Sequence, residues 1–130
     1  MLFYEREECD CGEELCFALR IVKLFRYLST EKKEYHLSKQ VIRSRTSIGA
    51  NVEEAMAGSS RNDFKAKLDI AHKEARETRF WLKLLRDSKI IEPNAANSIL
   101  FDCEELIKIL SSILKSIKAI PPEKLLIINS

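Results

Sequence analysis

The sequence predicts an all-α protein, an antiparallel up-down-up-down four-helix bundle. Apolar residues recur three or four positions apart through four segments, which is the spacing of a helix face packed on a core. Short polar breaks separate the segments, as between neighbouring helices of a bundle. The 130 residues include only three glycines and three prolines, few for sheet folds that need many turns. A chain of this length forms one domain with one core.

The first two helices are predicted over residues 13–31 and 35–57, each with one apolar face. In the first, we expect the core side to carry Leu15, Leu19, Val22 and Phe25, broadened by a second run of Ala18, Ile21 and Leu28. In the second, the apolar side carries Leu37, Val41, Ile48, Val52 and Ala55 or Met56. Gly58 and the polar residues after it end the second helix.

The third and fourth helices, predicted over 61–88 and 93–118, each carry a seam with a heptad period. The third seam is Phe64, Leu68, Ala71, Ala75, Thr78, Leu82 and Leu85, and the fourth is Ile99, Cys103, Leu106, Leu110, Ile113 and Ile117. Ser60 or Asn62 can cap the third helix, and Pro93 suits the first turn of the fourth. We interpret Phe64, Phe80 and Trp81 as packing residues rather than a base-stacking platform.

The flanking segments differ from the bundle, which we place at residues 13–120. Residues 1–12 form an acidic N-terminal arm, and residues 121–130 form an apolar C-terminal tail. No apolar run is long enough to cross a bilayer and no basic leader is present, so we expect a cytoplasmic protein.

The cysteines leave two interpretations open at the N-terminus. Cys9, Cys11 and Cys16 could reflect a metal site or a disulfide, but their spacing is not that of a zinc knuckle. Cys16 and Cys103 lie in helical apolar runs and are expected to be small core residues. We predict no metal and no cofactor.

Charge is unevenly distributed along the chain. Residues 37–86 carry eleven Lys and Arg against six Asp and Glu. Such a block attracts phosphate backbones, although it is also what a solvated helix face looks like. The candidate nucleic-acid contacts are Lys39, Arg45, Arg61, Lys65, Lys67, Lys73, Arg76, Arg79, Lys83 and Arg86.

The second helix also carries a stripe of small and polar residues beside its apolar face. Close helix packing within one subunit explains such a stripe, and so does a second surface used for self-association. If the second and third helices fold back near residues 59–61, Arg43 faces Glu77, and Glu54 faces Lys65 to Lys67; an Arg43–Glu77 pair would be bidentate if buried. The candidate structural or oligomer contacts are Gln40, Arg43, Ser44, Ser47, Gly49, Asn51, Glu54 and Glu77.

Residues 37–85 resemble the bacterial four helix bundle protein family. The motif residues are Leu37, Gln40, Arg43, Ser47, Ile48, Asn51, Val52 and Glu54, followed by Phe64, Ala71 and Glu77, with Ala55 where glycine is usual. The family includes proteins encoded within intervening sequences of large-subunit ribosomal RNA genes and the accessory variability determinant of diversity-generating retroelements. The resemblance implies a ring-shaped homopentamer without known catalysis. It also implies, for the retroelement branch, binding of nucleic acid and a reverse transcriptase through a basic surface.

Two functions follow as hypotheses. The first is a homo-oligomeric nucleic-acid-binding or adaptor module whose partners are other copies of itself, RNA or DNA, and a reverse transcriptase or other protein. The alternative is a pure protein–protein interaction scaffold. An enzyme is not expected, because a di-metal bundle needs Glu-x-x-His pairs and Lys33 and Asp69 stand three residues before His36 and His72.

Overall fold

The computed structural model describes residues 13–58 and 60–119 and confirms the four-helix fold. The helices are α1 (Glu13–Thr30), α2 (His36–Ala57), α3 (Arg61–Asp87) and α4 (Pro93–Ala119). Consecutive helices pack on each other and α4 also contacts α1, so the four form a closed square with α1 and α3 on one diagonal. The acidic arm and the C-terminal tail lie outside the described residues.

The turn between α2 and α3 is tight and capped at both sides. Ser60, not Asn62, is the N-cap of α3, because its Oγ accepts a hydrogen bond of 3.1 Å from the backbone N–H of Asp63. Gly58 ends α2, and its N–H donates to the carbonyl of Ala55. A Cβ at Gly58 would lie 2.6 Å from Oδ2 of Asp63, so glycine allows the two helix ends to approach closely.

The seam of α3 forms the centre of the core, as its spacing predicts. Its buried residues are Leu68, Ala71, Ala75, Thr78, Leu82 and Leu85, while Phe64 is partly buried against them. In α4 the predicted seam is confirmed except at Ile113, which is exposed, while Leu114 is buried. Ile117 is buried as predicted, so the exchange of Ile113 for Leu114 is confined to one turn of the helix.

Of the two runs predicted for the core face of α1, only the second is confirmed. Leu15 and Leu19 are exposed, and Val22 and Phe25 are only half-buried. The residues that enter the core are Phe17, Ala18, Ile21, Leu24 and Leu28, which include the whole of the second predicted run. Helix α1 is apolar on most of its circumference, so periodicity alone could not select the side that packs against its neighbours.

Two smaller expectations also need correction. At the end of α2, Ala55 is buried and Met56 is exposed, so only the first of the two contributes to the core. Cys16 is half-buried and disulfide-bonded rather than a small core residue; Cys9 and Cys11 lie outside the described residues. Cys103 is a buried free thiol that donates to the carbonyl of Ala75 at 3.4 Å, and burial raises its pKa to about 12.

Among the described helices, none combines the length and the apolar character needed to span a membrane.

Candidate nucleic-acid interface

The side of α3 that faces away from the core carries a short basic stripe. Because the core seam repeats every three or four residues, the residues halfway around the helix face solvent with the same spacing. The exposed residues Lys73, Arg76, Phe80 and Lys83 follow this spacing, and we call them the α3 outer stripe. At 1.5 Å per residue the stripe is about 15 Å long.

The three cations of the outer stripe are not neutralised within the protein. Lys73, Arg76 and Lys83 make no ion pair with any residue of 13–58 or 60–119. The stripe ends at exposed carboxylates, Asp69 on one side and Asp87 on the other. Because the three cations have no carboxylate partner among the described residues, their positive charge remains available to an external anion.

Other predicted basic contacts are already engaged by carboxylates. Lys65 Nζ lies 2.7 Å from Oδ2 of Asp69, and Arg86 Nε lies 2.9 Å from Oδ1 of Asp87. Lys67 Nζ lies 2.8 Å from Oε2 of Glu54. Within the predicted range of Lys65 to Lys67, the partner of Glu54 is therefore Lys67. These pairs reduce the charge that Lys65, Lys67 and Arg86 offer to a ligand.

The remaining candidates divide by exposure. Lys39 is exposed on α2, whereas Arg61 and Arg79 are partly buried on α3. Nε of Arg61 is buried and has no hydrogen-bond partner in the part of the chain that the structure describes. The side chain of Arg45 is not among those described.

His72 lies on the side of α3 next to the outer stripe. Partial burial lowers the pKa of His72 below its ordinary value of 6.5, and the positive charges of Arg76 and Arg79 act in the same direction, against an opposing effect of Asp69. His72 is therefore mostly neutral at pH 7 and adds little charge to the stripe at that pH.

Glu77 joins α2 to α3 through one carboxylate oxygen. As predicted, Arg43 pairs with Glu77, through Nη2 and Oε1. The same oxygen accepts hydrogen bonds from Ser44 Oγ at 3.2 Å and from Trp81 Nε1 at 3.3 Å. The side chains of Arg43 and Glu77 are 55% and 30% exposed, so the condition set for a bidentate pair, burial, is not met.

The small and polar stripe of α2 is only partly covered by its own subunit. Ser44 is buried, and Ser47, Gly49 and Asn51 are half-buried. Nδ2 of Asn51 donates to the carbonyl of Ser47 at 2.7 Å and to its Oγ at 3.2 Å. Oε1 of Gln40 accepts from Nε of Arg43 at 3.4 Å. A role for this stripe between subunits stays a prediction.

A comparison with known protein families identifies the family of this chain. The family model described as 23S rRNA-intervening sequence protein matches residues 13–112, which include α1, α2 and α3 and most of α4. The chain belongs to the 23S rRNA-intervening sequence protein family. The resemblance seen in the sequence is thereby confirmed for the intervening-sequence proteins.

A solved structure of the same kind supports the assignment. It is the crystal structure of a Bacteroides thetaiotaomicron protein of unknown function from the S23 ribosomal protein family. The present chain is 50% identical to that protein in sequence, and the two structures superpose with a TM-score of 0.78. The match covers 79% of this chain and 95% of the other. No curated protein matches the chain.

Sequence reasoning missed a buried charge cluster between α1 and α4 of this intervening-sequence family member. Arg20 Nη1 pairs with Oδ2 of Asp102, and the two side chains are 5% and 7% exposed. Arg20 also donates to the Oγ and the carbonyl of Ser98, at 2.8 and 3.3 Å. Opposite charges inside two apolar helical runs were the available signal, since such residues are rarely buried unless paired.

The expectation that Phe80 is a packing residue is wrong, because its side chain is largely exposed on the outer stripe. Trp81 and Phe64, by contrast, pack against the core as expected. The signal for Phe80 was present in the sequence, because it lies opposite the seam of α3. Within the described residues, no group of three or more His, Cys, Asp or Glu is placed to hold a metal ion.

Proposed function

We propose that this chain is a non-catalytic, homo-oligomeric nucleic-acid-binding or adaptor module that acts in the cytoplasm through basic faces of α2 and α3. The observation that carries the proposal is the outer stripe, where Lys73, Arg76 and Lys83 face solvent without a carboxylate partner among the described residues. Lysine and arginine in this setting bind phosphates by releasing condensed counterions, with little dependence on base sequence.

Repetition in an oligomer would strengthen a contact that is weak in one copy. A single subunit offers a stripe of only three unpaired cations, which supports a weak, salt-sensitive contact. Several copies on one ring, five if the family resemblance holds, would engage one polyanion together and multiply the affinity through effective concentration. Leu15 and Leu19, exposed one turn apart on α1, support self-association on another side of the bundle.

Binding to RNA and DNA at low and near-physiological salt tests the proposal. Fluorescence anisotropy titrations with labelled RNA and DNA should show binding that weakens steeply as salt rises. Replacing Lys73, Arg76 and Lys83 together by glutamine should weaken it markedly. The matched control replaces Lys32, Lys33 and Lys115, which are exposed on other parts of the chain, and should retain binding. No binding to either polymer at low salt, by the full chain and by a chain that lacks residues 1–12, would refute the proposal.

A pure protein–protein scaffold is the second candidate. The exposed Leu15 and Leu19 support it as much as they support self-association, because a different protein could cover them. Deleting residues 1–12, the acidic arm, and repeating the titration separates the two functions. An arm that competes for the basic face would hide nucleic-acid binding, so the truncated chain should bind more tightly. If the truncated chain also fails to bind, only the scaffold function remains.

A further inference from the structure

The one aromatic side chain on the α3 outer stripe is placed among its cations. Phe80 is 58% exposed, follows Arg76 by four residues and precedes Lys83 by three. Residues three and four apart are neighbours on a helix surface, so these cations lie beside the ring, as does Glu77, whose carboxylate is already paired with Arg43. A phenyl ring and adjacent positive charges are the elements with which proteins hold single-stranded nucleic acid.

The ring of Phe80 has an aromatic neighbour that is itself anchored. It meets Trp81 edge to face, with ring centroids 5.1 Å apart and an interplanar angle of 71°. Trp81 is fixed by its hydrogen bond to Glu77, which Arg43 and Ser44 hold from α2. A ring with such a contact loses less conformational freedom on binding than one without any.

Exposure alone does not distinguish Phe80. Phe101 on α4 is 59% exposed, but Glu104 and Glu105 lie three and four residues after it. These carboxylates would repel a phosphate backbone. The two phenylalanines therefore match in exposure and differ in charge environment, which makes Phe101 a suitable control.

We propose that Phe80 stacks on an unpaired base of a single-stranded polynucleotide whose phosphates contact Lys73, Arg76 and Lys83. This inference rests on the proposed function and adds to it the class of nucleic acid. The ring needs an exposed base face, which a single strand presents and a duplex keeps within its base stack. The protein should therefore bind single strands more tightly than duplexes.

Charge complementarity favours a polyanion over an apolar protein surface at this stripe. An apolar partner covering Phe80 would desolvate the neighbouring Arg76 and Lys83 without neutralising them. A second copy of this chain could cover Phe80 only if it offered carboxylates at matching positions. A nucleic-acid strand supplies the phosphates and the stacking face together.

Anisotropy titrations with four probes test the inference: short oligouridylate, oligodeoxythymidylate, and an RNA and a DNA duplex of equal length. The native chain should bind both single strands more tightly than the duplexes; the RNA and DNA arms show whether the sugar contributes. Phe80→Ala should weaken single-strand binding by about five- to 150-fold, because stacking contributes about 1–3 kcal/mol per base. Its salt dependence and its duplex binding should not change, and Phe101→Ala should bind like the native chain.

The fluorescence of Trp81 provides a second measurement, because it is the only tryptophan in the chain and its ring meets that of Phe80. Single-strand binding should change its emission, whereas duplex binding should not.

Salt-sensitive binding without a preference for single strands, or without an effect of Phe80→Ala, would overturn this inference and leave the proposed function intact. Absence of binding to all four probes, by the full chain and by the chain that lacks residues 1–12, would overturn both. A lower oligomer mass for Phe80→Ala in light scattering would identify Phe80 as a subunit contact and also overturn the inference.

Discussion

At Glu77, one carboxylate oxygen accepts from Arg43 and Ser44 of α2 and from Trp81 of its own helix. The pair with Arg43 could be predicted because a short turn joins the two helices, and residues equidistant from that turn face each other. No short turn joins α1 to α4, so the pairing of Arg20 with Asp102 had no comparable guide. Sequence reasoning identifies partners across a turn more readily than partners across the bundle.

Breaking the buried Arg20–Asp102 pair should strongly destabilise the protein. Asp102→Asn leaves the buried guanidinium without its counter-charge, and we expect a loss of about 3–5 kcal/mol in the free energy of unfolding measured by urea denaturation. Asp87→Asn is the control, because Asp87 is exposed beside Arg86, where water screens the pair, and its replacement should change stability far less. Equal losses for the two variants would contradict the structural role of the pair.

His72 should make the protein less stable in mild acid. Burial and Arg76 lower its pKa below 6.5 in the folded state, so the unfolded chain takes up the proton first as pH falls. Stability attributable to His72 is full above the unfolded pKa of about 6.5 and declines as pH falls toward the folded pKa. Urea denaturation across this pH range should show a smaller decline in the free energy of unfolding for His72→Gln than for the native chain. An identical decline in both proteins would contradict the role of His72.

At the scale of elements, all four helices and their ends were predictable, whereas the rotation of α1 was not. Helix α3 is polar except along its seam, so only one side of it can enter the core. Helix α1 is apolar nearly all round, so two stripes were equally compatible with burial. The choice between them depends on contacts with other helices, including the pairing of Arg20 with Asp102.

The α2–α3 turn should depend on Ser60 rather than on Asn62. Ser60→Ala removes the acceptor for the N–H of Asp63 and should cost about 1 kcal/mol of unfolding free energy. Asn62→Ala changes an exposed residue of the first turn that is not the cap, and should cost much less. Urea denaturation of both variants measures the two losses of unfolding free energy. A larger loss for Asn62→Ala than for Ser60→Ala would assign the cap to Asn62.

At the scale of the whole molecule, the proposed functions use opposite corners of the bundle. The exposed leucines lie on α1 and the outer stripe lies on α3, and these two helices occupy the same diagonal of the square. Self-association through α1 would therefore leave α3 facing outward. The disposition of the two surfaces follows from the packing of all four helices, which local sequence patterns do not specify.

Self-association through α1 should be sensitive to charge at its exposed leucines. Leu15→Lys with Leu19→Lys should lower the mass measured by light scattering, because unpaired lysines would be desolvated in the contact. The helical circular dichroism should be unchanged, since both positions face solvent within one subunit. Ile70→Lys, exposed on α3, is the control and should leave the mass unaltered. An unchanged mass for the leucine variant would exclude α1 as the contact.

The salt dependence of single-strand binding tests the central claim most directly. The slope of log affinity against log salt concentration counts the phosphates that the protein neutralises, at about 0.7 per contact for single strands. Replacing Lys73, Arg76 and Lys83 by glutamine should therefore make the slope shallower by about two for each subunit engaged. The Lys32, Lys33 and Lys115 variant should keep the native slope. Equal slopes for the native chain and the outer-stripe variant would show that nucleic acid binds elsewhere.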